Sequence, residues 1–235
     1  MQLPIIPDKN LFIVTSAIKP VIGVFGSDER FEQTIISLKS IRNKVPDAII
    51  MLVDCSVSTL TQKEKNLLTE NSNIFLNLSS EPNCANFSKM GMKSHAENAM
   101  LFFTLQTLKN NKDISNILNT VKRIFKFSAR SELDDTFDIT EYDNLFGKFV
   151  FKDRLPTWMS NVQHGADKLF ITRMFSFCPS LIDTYLQVIQ KNMQVLDTLD
   201  TEHAHYVNIP KENLVEFQMI HCHGWLAGNG EIEYY

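Results

Sequence analysis

The stretch FKFSARSELDD, Phe125 to Asp135, concentrates side chains suited to chemistry. An apolar run ends in Ser-Ala-Arg, and Glu132, Asp134 and Asp135 follow. Arg130 can pair with a diphosphate through its planar fork of N–H donors. Asp134 and Asp135 can share a divalent cation, or can simply open a turn. A second segment, KMGMKSHAEN, sets Lys93 just before an expected helix start and Glu97 in its first turn. A lysine beside exposed helix N–H groups makes an anion site. Glu97 can orient that lysine or a sugar hydroxyl. A capping box of Ser94 and Glu97 explains the acid more plainly, but leaves Lys93 without a role.

Three further positions draw notice because they follow apolar runs. Thr15 and Ser16 can offer hydroxyls and backbone N–H groups to a phosphate or ribose, or can bond locally within their loop. Asp54 can accept from a ribose or a base N–H, or can cap the next turn. Four of the six histidines lie between His203 and His223. The pairs His203/His205 and His221/His223 would each share one face if extended, which permits a metal site but lacks the HExxH pattern or a cysteine pair. Glu202 can serve as a general base or accept from a substrate hydroxyl. There is no GxGxxG after the first strand, no GxxxxGK[ST] and no GxSxG. Dinucleotide, P-loop and α/β-hydrolase chemistry are thereby disfavoured.

The elements that must position these residues follow from hydrophobic periodicity. Leu11–Val14 and Ala48–Val53 are continuous apolar runs, the mark of buried parallel strands. A helix from Phe31, stopped by Pro46, separates them. Thr61 and Glu64 predict a capping box opening a helix to Glu70. A strand over Asn73–Leu78 and a polar loop over Ser79–Ser88 come next. The spacing then predicts a helix over Ser94–Leu108 with a core stripe of Met100, Leu101, Leu105 and Leu108, and another over Asp113–Thr120. Strands are expected at Arg123–Phe127, Lys148–Lys152, Leu169–Phe177 and Val215–Ile220, with a helix from Leu181 to about Leu196. Strand–helix alternation implies βαβ units. The expected fold is one α/β domain over residues 1–235, with a Rossmann-like, mainly parallel but mixed sheet flanked by helices. Ligands of such sheets bind beyond the carboxyl ends of the strands, where Thr15, Ser16, Asp54 and Ser128–Arg130 fall.

Composition bounds the partners. The 235 residues are 44% hydrophobic and 21% charged, with a formal net charge of -4. That is globular, and the acidic balance argues against a nucleic-acid partner. Cys55, Cys84, Cys178 and Cys222 are far apart, without a CxxC pair, and are expected as buried free thiols. MQLPIIPDKN carries no basic segment followed by an apolar run. No stretch approaches the ~20 apolar residues of a membrane span. A cytoplasmic protein is the expectation.

The order TSAI, a helix ending SIR, PDAIIMLVD, KMGMKSHAEN, FKFSARSELDDTFD and HGWLAGNGEIE resembles a loose group of small GT-A-type glycosyltransferase-like proteins, several of them viral or microbial. The resemblance implies a nucleotide-sugar donor over the first strands and a glycan or other hydroxyl acceptor. Thr15, Ser16, Arg30 and Asp54 would line the nucleoside end. Lys93, Glu97 and Arg130 would approach the diphosphate or sugar. Glu202 and His223 would lie on the acceptor side, so that Arg130, Glu202 and His223 form the expected catalytic set. Enzymes of this type usually hold Mn2+ or Mg2+ on the donor with an Asp-x-Asp after the fourth strand. Here that place reads Ser128-Ala129-Arg130. Either Arg130 replaces the cation, or Asp134 and Asp135 are displaced ligands, or donor binding is lost. The alternatives to a transferase are a non-catalytic nucleotide- or glycan-binding protein on the same fold and a metal-dependent hydrolase.

Overall fold

A computed structural model describes residues 7–226 and 228–235. Residues 1–6, read above for a leader, and Ala227 of the terminal motif lie outside the described residues. The chain opens with β1 (Lys9–Ser16), α1 (Ser27–Lys44), β2 (Ile49–Asp54), α2 (Gln62–Asn71) and β3 (Ile74–Asn77). Three helices follow, α3 (Pro82–Lys89), α4 (Lys93–Asn110) and α5 (Lys112–Leu118), before β4 (Val121–Ser128) and the short β5 (Ser131–Leu133). The second half runs β6 (Phe149–Lys152), β7 (Leu155–Pro156), β8 (Lys168–Leu169), β9 (Met174–Phe177), α6 (Ile182–Met193), α7 (Thr201–Asn208), β10 (Leu214–Phe217), β11 (Cys222–Trp225) and β12 (Ile232–Tyr234).

Seven strands form one sheet in the order β10-β6-β9-β4-β1-β2-β3. Its neighbours are parallel except β9, which runs antiparallel to both β4 and β6. The sheet is thus mixed and mostly parallel, with helices on its faces. Continuous apolar strands suit this position because alternate residues feed two cores. Leu11 and Ile13 join Met51, Val53, Ile124 and the α4 and α6 side chains on one face. Phe12 and Val14 join Ile50, Leu52, Phe125, Phe127 and the α1 side chains Leu38 and Ile41 on the other. Phe12 and Phe125 stack at 4.6 Å across β1 and β4. A smaller antiparallel sheet, β12-β11-β5, continues from the end of β4. Among the described residues no helix is long and apolar enough to cross a membrane.

The chain leaves β1 toward β2 on one side, and β4 arrives on its other side. That reversal of strand order opens a crevice beyond the carboxyl ends of β1 and β4. The registers Thr15↔Ser128 and Ser16↔Asp54 level the three strand ends.

Most elements match the pattern of the sequence, including the Thr61–Glu64 capping box at α2. The four cysteines are free and buried. Three expectations are corrected. Ser79–Ser88 is not all loop: Pro82 opens α3, because a proline in the first turn lacks only an N–H that would have no helical partner. Leu169–Phe177 is not one strand but is broken between β8 and β9, where Lys126 Nζ donates to the Thr172 carbonyl at 2.7 Å. His203 and His205 are helical, on α7, and therefore point to different partners.

Gly224 sits where β11 crosses β5. A Cβ there would lie 2.6 Å from both the Arg130 carbonyl oxygen and Ser131 Oγ. Gly224→Ala is expected to force the strands apart at about 1–3 kcal/mol, lowering the unfolding midpoint by roughly 3–10 °C in a chain of this size. An unchanged midpoint in thermal unfolding would show that the contact yields without cost.

Candidate functional site

The crevice is a cleft of about 860 Å3, open mouth included. Its floor is Thr15 and Ser16 from β1 and Ser128 from β4. One wall is the start of α4, with Lys93, Ala96, Glu97 and Met100; Arg30 reaches it from the first turns of α1. The loop after β1 supplies an apolar side with Pro20, Val21, Ile22 and Phe25. Thr15 Oγ1 lies 3.5 Å from the Phe127 carbonyl oxygen, and Ser16 Oγ lies 3.3 Å from Thr34 Oγ1. Six of the sequence-derived candidates, Thr15, Ser16, Arg30, Lys93, Glu97 and Arg130, therefore meet in one place.

Asp54 is different. It is wholly buried, and its two carboxylate oxygens accept from the backbone N–H groups of Ile18 and Ser56, each at 3.0 Å. Burial raises its pKa against these bonds. The expectation that it lines the nucleoside end is corrected in placement: one oxygen accepts from the loop after β1 and the other from the loop after β2. It shapes the cleft without reaching it.

Four cationic side chains crowd the strand ends: Arg30, Lys93, Arg130 and Arg173. Burial, then the charges of Arg130 and Arg173, pushes Arg30 down to about 9. Burial and then Arg173 push Arg130 down to about 10. Lys93 is lowered by burial and by all three arginines. For Arg30, Lys93 and Arg130 the neighbouring like charges act in the same direction as burial. Such a cluster favours a multiply charged anion. Arg130 and Arg173 are held side by side, since Nη1 of each donates to the same Trp225 carbonyl oxygen at 3.1 Å.

The nearby carboxylates are engaged. Glu97 forms an ion pair with Lys126, which is itself 2% exposed. Burial alone would raise Glu97, but the Lys126 ammonium and then Arg130 hold it below the usual carboxylate range. The expected Ser94–Glu97 capping box is corrected: α4 begins after Met92 with no side-chain cap, because Glu97 is drawn to Lys126 instead. Glu202 Oε1 accepts from the Thr172 hydroxyl at 3.0 Å. Burial, then Asp200 and Glu97, pushes Glu202 up to about 7. His205 is completely enclosed, bonded to Tyr185 and the Thr201 carbonyl, and burial lowers it to about 4. His203 is held by Asp200 and Thr157. Both are structural.

The other candidates lie elsewhere. Asp134 Oδ1 accepts from the backbone and hydroxyl of Thr136, making a turn. Asp135 is fully exposed and paired with Lys44 at 2.7 Å. His223 leaves the cleft for the small sheet, where it stacks on Tyr234 and faces Glu132 at 3.8 Å. His221 bonds the Thr136 hydroxyl. Among the described residues, no three His, Cys, Asp or Glu side chains converge to hold a metal ion. The donor set at the strand ends is cationic, so it does not fit Mn2+ or Mg2+. The placement of Asp134 and Asp135 as displaced ligands is corrected accordingly, and the metal-hydrolase alternative finds no ligand set among the described residues.

Two residues of this arrangement, Arg173 and Lys126, are not among the sequence-derived candidates. Arg173 follows a broken strand with no periodicity to mark it. Lys126 does carry a signal: a lysine between two phenylalanines inside a buried strand must find a counter-charge.

No protein-family model and no curated protein sequence matches the chain. Solved structures do. The mannosyltransferase Ktr4p from S. cerevisiae aligns over 88% of this chain and 68% of its own, at 8% identity and a TM-score of 0.52. Core-mannan synthase A from Aspergillus fumigatus, in its Mn/GDP form, aligns over 88% and 72%, at 9% identity and a TM-score of 0.49. A galactosyltransferase in complex with donor and acceptor sugar analogs aligns over 89% and 73%, at 11% identity and a TM-score of 0.48. The likeness is one of fold: a mixed, mostly parallel α/β sheet flanked by helices, as in GT-A-type glycosyltransferases.

Proposed function

We propose that this chain is a glycosyltransferase that moves a sugar from a nucleoside-diphosphate donor to a hydroxyl acceptor. The observation that carries the reading is the convergence of Arg30, Lys93 and Arg130 on a cleft at the topological switch point. A nucleoside fits the apolar side made by the loop after β1, and the diphosphate fits the cations. When the bond between the anomeric carbon and the diphosphate oxygen breaks, the electron pair stays with the diphosphate. Arg130 and Lys93 stabilise the charge that develops there. The acceptor hydroxyl bonds to the anomeric carbon and gives up its proton. Glu202, with a pKa of about 7, has the basicity for that transfer near neutral pH. A binding protein without turnover is the second reading, favoured by the position of Glu202 outside the residues that line the cleft.

Donor binding is read by a thermal-shift screen with UDP-, GDP-, CMP- and ADP-sugars. A ligand at about 100 times its Kd adds ~2.7 kcal/mol of stability, or roughly 5–10 °C in a chain of this size. Arg130→Ala is then expected to lower transfer from the selected donor by about 10²-fold or more. Native turnover in a folded variant would remove Arg130 from the chemistry. Binding without turnover in the native protein would favour the second reading.

Glu202 gives a separate test. Its folded pKa lies above the ordinary 4.5, so the native state holds the proton more tightly than the unfolded chain. Its stabilising contribution is full below that value and is lost as pH rises through about 7. The loss is up to about 3 kcal/mol. Glu202→Gln should therefore raise the unfolding midpoint above about pH 8 and change it little near pH 4, while transfer falls. An equal change in midpoint at both pH values, with full turnover, would contradict the assignment.

A further inference from the structure

We infer that this site binds the diphosphate of its donor without a divalent cation, Arg130 standing where a metal ion would and Arg173 holding it there. The inference rests on the donor reading above and specifies its chemistry.

Three observations carry it. The residue that β4 delivers to the strand ends is Arg130, two residues beyond Ser128, and not an acid. Of the two carboxylates that act on its charge, Glu97 is paired with Lys126, and Glu202 lies outside the residues that line the cleft. Arg173 comes from the antiparallel side of the sheet, through the link from the Ser128 N–H to the Arg173 carbonyl oxygen at 2.8 Å. Its guanidinium shares the Trp225 carbonyl with Arg130. One carbonyl oxygen has two lone pairs and a guanidinium five N–H donors, so the shared carbonyl fixes Arg130 beside Arg173 and leaves Arg130 donors for phosphate oxygens. A divalent cation placed there would meet like charge from Arg30, Lys93, Arg130 and Arg173 and no free carboxylate pair. A diphosphate meets the reverse. Arg173 does not line the cleft itself; it is a positioning residue, acting through the shared carbonyl and through its charge on Arg30, Lys93 and Arg130.

Calorimetric titration of GDP and UDP into the full chain, after EDTA treatment and again with MnCl2 in excess, tests this. The expected result is binding of at least one nucleotide with Kd values agreeing within about threefold in the two conditions, and weakening as salt rises. Arg173→Gln should weaken that binding by about tenfold in both conditions, and Arg173→Lys, which keeps the charge, should recover much of it. A purely architectural role would not distinguish the two variants by charge. Binding that appears only with MnCl2, or tightens by about tenfold or more with it, overturns this inference and leaves the donor reading standing. Wild-type affinity in Arg173→Gln removes Arg173 from the site. Failure of both nucleotides to bind in either condition overturns the inference and the donor reading together.

Discussion

The ion pair between the buried Lys126 and Glu97 on the cleft wall holds the functional edge of the molecule together. Lys126 belongs to β4, a central strand, and is 2% exposed. It reaches across to α4 for Glu97 and to the chain before β9 for the Thr172 carbonyl. One ammonium thus ties three separate elements to one point. Lys93 lies one helical turn before Glu97, Glu202 hangs from the Thr172 hydroxyl, and Arg173 is the next residue along. A pair of this kind, its ammonium buried, adds little net stability, but stripping it of one partner costs about 3–5 kcal/mol. Its effect is positional: it sets the distance between the α4 wall and the strand ends.

The charge pattern around that pair sets what kind of ligand suits the cleft. Like charges 4 Å apart repel by about 4 kcal/mol at an effective dielectric constant of 20. A fold with Arg30, Lys93, Arg130 and Arg173 at one sheet edge carries part of that cost in its ligand-free state. Burial is the larger reason that Arg30, Lys93 and Arg130 have lowered pKa values, and the neighbouring arginines add to it. A multiply charged anion bound there would relieve that repulsion. The acidic net charge of the chain and its local excess of cations are therefore compatible: the first concerns the whole surface, the second a single crevice.

Much of this edge was legible in the sequence, for a simple geometric reason. Parallel strands end on one side, so Thr15, Ser16 and Arg130 could be placed together once β1 and β4 were recognised as buried runs. Lys93 and Glu97 were found through an expected helix start. The role given to Glu97 shifted from cap to ion pair because a buried ammonium outcompetes a backbone N–H for a carboxylate. Asp54 was seen at its strand end, but sequence cannot show which way a carboxylate turns, and here the backbone of the adjoining loops takes both oxygens. Local patterns missed residues whose meaning is tertiary. Arg173 lies in the break between β8 and β9, where Lys126 bonds the Thr172 carbonyl. His203 and His205 alternate in the sequence, yet α7 sends one to Asp200 and the other to Tyr185. His223 belongs to a small sheet whose register with β5 no short motif encodes.

The central claim is that the strand-end cations form a diphosphate site. The most direct measurement is a crystal structure of the protein with the nucleoside diphosphate that binds it. The account predicts the diphosphate lying among Arg30, Lys93 and Arg130, with the base against the loop after β1. A diphosphate bound elsewhere at full occupancy, or held through a cation by Asp134 and Asp135, would contradict it.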